Sequence, residues 1–230
     1  MKASLSILFL MVLMVSCQKE EYSANDLFQL STKSDSAAYH YTEGWKQIMD
    51  YGNYSQAEVE WREAKTFDED FLLNLAVLAR VTQDLEERLA LTKVLENRKD
   101  ELNGDERQVL DIYLALTHYT NLRDQESSLK DSALNAALDL SYSIMPGVVN
   151  RNPEEVYLKS EYYETLHRRI GAKQTLDSIQ ILTLPSQIDN PFILGYRASL
   201  YAEIENYDAA LLVVRRFVSA IVDRSIAKPY

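Results

Sequence analysis

The sequence predicts an all-α fold built from antiparallel helical hairpins. Three observations carry that expectation. Turn-forming residues are scarce: six Gly and five Pro stand in 230 residues, less than half of the roughly 12% that average usage supplies. Apolar residues recur at i, i+3, i+4 and i+7, and they do not alternate as a strand would. Capping residues stand where those stripes begin and Gly where they end.

Taken in order, the first stripe is Tyr41, Trp45, Ile48 and Met49. Ser55-Gln56-Ala57-Glu58 reads as a capping box opening the next helix. Val109, Tyr113, Leu116 and Thr120 make another stripe. Leu134, Ala137, Leu138, Ser141 and Ile144 make a third, and Leu176, Ile179 and Leu182 a fourth. Asn152-Pro153-Glu154-Glu155 places an N-cap, a first-turn Pro and two acids at a helix start, and Asn190-Pro191 repeats that start. Asn103-Gly104 and Gly171 read as helix ends. About ten helices result, over 37–51, 54–67, 70–83, 86–101, 105–122, 129–144, 153–169, 172–183, 191–204 and 207–223. Short connections make successive helices antiparallel neighbours. Longer breaks are expected at 145–152, which contains Met145-Pro146-Gly147, and at 184–190, which contains Pro185.

The N-terminus has the make-up of an export signal. Lys2 supplies a positive charge, Leu5 to Val15 an apolar run, and Ser16 the small residue at a cleavage point. A spanning helix needs about 20 apolar residues, and this run ends sooner, at Gln18, Lys19, Glu20 and Glu21. Met14-Val15-Ser16-Cys17 resembles the lipobox of bacterial lipoproteins, with Met where Leu is usual. The resemblance implies a signal peptide over 1–16, with Ser16 at the cleavage site. It further implies a diacylglycerol thioether on Cys17 and acylation (palmitate) of the new N-terminus. Several acyl chains anchor effectively permanently, whereas one gives reversible binding. No Asp follows the Cys, so the common inner-membrane retention signal is absent, and the resemblance implies the outer membrane, at its periplasmic or cell-surface face. The Lys-then-acidic run after Cys17 reads two ways, as a surface-export signal or as a plain solvated tether. Residues 17–35 are mostly polar and read as a lipidated tether of roughly 23 Å, with Leu27, Phe28 and Leu30 available to dock on a body over 36–230.

Residues 38–71 resemble a tetratricopeptide repeat (TPR), a helical hairpin of about 34 residues. Tyr41, Trp45 and Ile48 lie on its first helix, Gly52-Asn53-Tyr54 at its turn, and Ala57, Trp61 and Ala64 at the small, aromatic and small places of its second helix. Residues 191–224 repeat the match through Leu194, Ala198, Tyr201, Tyr207 and Ala210. Gly44 stands one place before the family's small residue, and Phe217 stands where Ala is usual. The middle of the chain does not keep the period. The resemblance implies hairpins stacked as a right-handed superhelix, with Tyr54 and Trp61 wedged between helices. It also implies a concave groove lined by Tyr39, Thr42, Lys46, Met49 and Asp50, open to a partner's peptide segment.

Composition narrows the function further. One Cys excludes an internal disulfide framework and a Cys-based zinc cluster. A net charge of −11 argues against a nucleic-acid partner. His40, His118 and His167 lack metal-ligand spacing, and no phosphate-binding or nucleophile-elbow motif is present. Asp68-Glu69-Asp70 lacks the alternation and Gly of a calcium loop. Neither a metal nor another cofactor is expected, and no catalytic residue stands out. Tyr157, Tyr162 and Tyr163 span more than one side of a helix, which marks some as contact residues for peptides or sugars. The expectation is therefore an outer-membrane lipoprotein that acts as a non-catalytic protein-interaction scaffold in an envelope assembly. The second reading is a surface glycan- or nutrient-binding lipoprotein beside an outer-membrane importer.

Overall fold

Ser34 begins the first helix, its side chain accepting the Ala37 N–H. The structure, a computed structural model, describes residues 28–226, with side chains to residue 222. The signal peptide 1–16, Ser16, Cys17 and the tether as far as residue 27 lie outside the described residues.

Helix α1 (Asp35–Tyr51) ends at Gly52, which adopts φ 63° and sends its N–H back to Ile48. That left-handed residue reverses the chain, so α2 (Tyr54–Phe67) starts one residue before the expected capping box. Asn53, and not Ser55, is its cap. Helix α3 (Leu72–Val81) is buried at every position from Leu72 to Ala79. An apolar run of this kind on all sides marks a helix enclosed by others. Its one interior amide, Asn74, donates to the Trp61 carbonyl at 2.9 Å. Asp84 caps α4 (Leu85–Arg98) by accepting from Glu86 and Glu87. A 3-10 turn (Lys99–Glu101) leads into α5 (Gly104–Asp124), with Asn103 at its N-cap.

Helix α6 (Lys130–Arg151) runs through the expected break at 145–152, with Pro146 inside it. The reason is packing. Met145, Val148 and Val149 on that last turn are each no more than 3% exposed. Burying three such side chains is worth about 1.5–3 kcal/mol each, which outweighs the roughly 3 kcal/mol that an interior Pro costs. Asn152-Pro153 accordingly starts nothing: Asn152 ends α6, and α7 begins at Val156. Helix α7 (Val156–Leu182) is broken at Gly171, whose φ of 80° and ψ of 171° separate the two expected helices 153–169 and 172–183. Asn190 caps α8 (Pro191–Glu203) as expected, and α9 (Tyr207–Ile226) follows.

Among the described residues every regular element is helical: nine α-helices, with α7 counted once, and two 3-10 turns, Lys99–Glu101 and Pro185–Gln187. The hairpin partners are α1/α2, α3/α4, α5/α6 and α8/α9. Helix α3 packs on α5, and α7 lies between α6 and α8. In a solenoid each unit meets only its neighbours. Here α1 also touches α7 and α8, and Asn190 on the α8 cap donates to Asp50 at 3.1 Å. One large core runs from Trp45, Trp61 and Phe71 to Tyr163 and Ile193, and a small one sits between α8 and α9.

Residues 28–34 form a strap across this body. Phe28 and Leu30 pack on the core, as expected for the docking residues inside the described range. The Phe28 N–H donates to Asn152 Oδ1 at 2.9 Å, the Ser31 N–H to Glu106 Oε1 at 3.0 Å, and the Thr32 hydroxyl to Asp68 Oδ2 at 2.5 Å.

Candidate binding surfaces

The five positions expected to line a groove do not converge. Tyr39 is exposed and meets the His40 ring edge-on. Thr42 is exposed, donates to the Ala38 carbonyl, and borders a small pocket under the strap. Lys46 pairs with Glu43 on its own helix. Met49 packs against the core, and Asp50 is buried and held by Asn190. The physical reason is that α8 lies over the end of α1, which takes Asp50 off the surface.

The repeat-like core is placed more nearly as expected. Tyr41, Trp45, Ala57, Trp61, Ala64, Leu194, Ala198 and Ala210 are buried, and Ile48 and Tyr201 are partly so. Tyr54 and Tyr207 are corrections. As the first residues of α2 and α9 they point outward, 70% and 65% exposed, and wedge nothing. Trp61 fills the space alone, against Gly44. Tyr162 and Tyr163 are buried and Tyr157 partly buried, because α7 is covered on several sides. These three tyrosines form no exposed platform.

Sequence reasoning missed a cleft between α3, α5, α6 and α7. It encloses about 390 Å³, within the usual range for ligand pockets. One wall is apolar, from Ile112, Leu116, Leu134, Leu138 and Met145; the other is charged, from Arg80, Glu161, Glu164 and Arg168. Arg80 and Glu161 form its floor, paired at 2.9 Å, with the guanidinium 4.4 Å from the Tyr113 ring centre. The same pair also borders a second cavity of about 350 Å³ beside Trp45 and Phe192. Burial pushes the Glu164 carboxyl upward, nearby Arg168 pulls it down, and Glu161 pushes it up again. One signal was present in the sequence: Glu161, Glu164 and Arg168 recur at i, i+3 and i+7, a charged stripe along one side of α7.

A second surface lies on α9. Ala210 and Val213 face α8, but Tyr207, Leu211, Val214 and Val218 lie along the neighbouring flank, each 41% exposed or more. Their spacing of i, i+4, i+7 and i+11 is that of a helix-packing stripe.

Under the strap, burial pushes Glu106 up to about 7, while the Ser31 N–H pulls it down. A carboxyl raised on folding binds more protons in the native state than in the unfolded one. Stability is therefore expected to fall as pH rises from about 4.5 to 7, by up to about 3 kcal/mol, and to level off above. Glu106→Gln keeps an acceptor for Ser31 and is expected to flatten that slope. Urea titrations at pH 5 and pH 8 measure both chains, and an equal slope in the two would refute the assignment.

Among the described residues no group of three His, Cys, Asp or Glu side chains is placed to hold a metal ion, and no helix is long and apolar enough to cross a membrane. His40 and His167 are engaged by Glu60 and Glu203, each at 2.8 Å. Compared with family models, with curated proteins and with solved structures, the chain matches none of them.

Proposed function

We propose that this protein is an outer-membrane lipoprotein, anchored through Cys17, that serves as a non-catalytic protein-interaction scaffold in an envelope assembly. The observation that carries the scaffold reading is the apolar flank of α9. Exposed apolar stripes of this kind mark interaction sites, and the helical spacing of Tyr207, Leu211, Val214 and Val218 suits an amphipathic helix of a partner protein. The lipobox-like Met14-Val15-Ser16-Cys17 supports the anchor. The strap at 28–34 holds the end of the tether against the body.

Two measurements test the reading. Cys17→Ser is expected to stop palmitate incorporation and move the protein from the membrane fraction to the soluble one. A photo-crosslinking residue at Val218 is expected to capture a discrete envelope protein in cells, while one at Val94, an exposed site on α4, captures none. Equal capture from both sites, or from neither, would overturn the scaffold reading. Retardation on polysaccharide gels without any captured protein would favour the glycan-binding alternative.

A further inference from the structure

The cleft between α5, α6 and α7 carries an inference independent of the α9 flank. Its floor is spent, because Arg80 and Glu161 neutralise each other. The two charges above them are not. Among the described residues neither Glu164 nor Arg168 makes an ion pair or a side-chain hydrogen bond, although both line the cleft. Their spacing alone would allow a pair. Glu58 and Arg62 on α2 have the same order and the same four-residue step, and they meet at 2.7 Å. On α7 the two groups stay apart and face the same cavity.

The charges are also ordered along the cleft. Ser141 and Thr165 are hydrogen-bonded at 2.8 Å and Arg169 donates to the Asn135 carbonyl at 2.7 Å, two contacts that set α6 antiparallel to α7 with Leu138 and Leu134 running toward Arg168. Arg123, at the end of α5 and lying over the Tyr119 ring, lines this same end but is already paired with Asp124 at 3.0 Å. Moving inward, the sign changes to negative at Glu164 and then Glu161. Glu164 and Arg168 are separated by about 6 Å of helix rise. An extended peptide spans about 3.3–3.6 Å per residue, so a two-residue peptide laid along α7 covers that rise. The opposite wall, at Leu134 and Leu138, is apolar.

We propose that this cleft binds a short unblocked peptide of about two apolar residues, its ammonium on Glu164, its carboxylate on Arg168, and its side chains on Leu134 and Leu138. Each charge of the ligand meets a charge that the fold leaves unpaired, so neither side of the contact has to break an existing ion pair. No former partner is left unpaired by the contact, which is the usual cost of recruiting a charge out of an existing ion pair.

Isothermal titration of the full-length chain tests the proposal with four probes: Leu-Leu, N-acetyl-Leu-Leu, Leu-Leu amide and free leucine. Leu-Leu is expected to bind, and each of the other three to bind at least tenfold more weakly. Glu164→Gln is expected to make the acetylated and free dipeptides bind alike. Arg168→Gln is expected to do the same for the amide. Neither substitution lowers the thermal midpoint, since neither side chain bonds to the fold, and neither alters crosslinking from Val218. Blocked dipeptides binding as well as Leu-Leu, no binding of Leu-Leu, or loss of binding in the two variants without the matching change in selectivity would each overturn the proposal.

Discussion

Gly44→Ala is expected to destabilise the protein by about 1–3 kcal/mol, yet to stabilise it once Trp61 is also replaced by Ala. A Cβ on Gly44 would come within 2.6 Å of Trp61 Cδ1 and Cε2, and nearer still to Nε1. Trp61 cannot withdraw. It is fully buried between α1 and α2, and its Nε1 donates to the Tyr41 carbonyl at 3.0 Å. Trp61→Ala alone is expected to cost about 3–5 kcal/mol from the cavity it leaves. It also strips the Tyr41 carbonyl of its side-chain donor. For a chain of this length that corresponds to a fall in Tm of roughly 6–20 °C. With the indole gone the clash is gone, and Ala exceeds Gly in helix propensity by about 1 kcal/mol. The sign of Gly44→Ala therefore reverses between the two backgrounds. A double-mutant cycle by urea denaturation reads the coupling, and additive effects would show that the ring and the glycine are not in contact.

Arg151→Met is expected to cost about 3–5 kcal/mol, the usual result of leaving one partner of a buried ion pair behind. Arg151 grips Asp105 through Nε, at 3.0 and 3.2 Å from its two oxygens, and through Nη2. The carboxylate is 1% exposed. Asp105→Asn in the same chain removes the orphaned charge and is expected to recover most of the loss. The knot reaches the strap as well. Asn152 donates to Asp105 at 2.6 Å while its own carbonyl oxygen receives the Phe28 N–H. Arg151→Met is therefore expected to speed hydrogen exchange at the Phe28 amide, and the double replacement to slow it again. Unchanged exchange at Phe28 would separate the strap from the ion pair.

The helices were legible because their determinants are local. A 3.6-residue apolar period, Gly52 at a left-handed turn, Asn190 before a Pro and Gly171 at a break each act within a few residues, and each falls at or beside the helix boundary it announces. The errors arose where a distant partner outbid a local preference. Pro146 would end an isolated helix, but the core beyond it holds Met145, Val148 and Val149. Asn152 is a good N-cap by type, but Asp105 and the strap claim its side chain. Ser55 is a local exception, since Asn53 caps α2 once the chain has turned at Gly52.

The binding surfaces were less legible for the same reason. Asp50 reads as an exposed groove residue until α8 covers the end of α1. The charged stripe on α7 is visible in the sequence, but its meaning depends on Arg80 from 81 residues earlier and on the apolar wall of α5 and α6. By itself, then, the sequence determined the all-helical class and the approximate helix boundaries. Hydrogen bonds within a helix span four residues, so a short window contains their determinants. Tertiary structure alone decided that α1 closes on α7 and α8, that Tyr54 and Tyr207 face outward, and that Glu164 and Arg168 share a cleft without pairing. Those outcomes depend on which helix covers which face, a competition among surfaces that no local window contains.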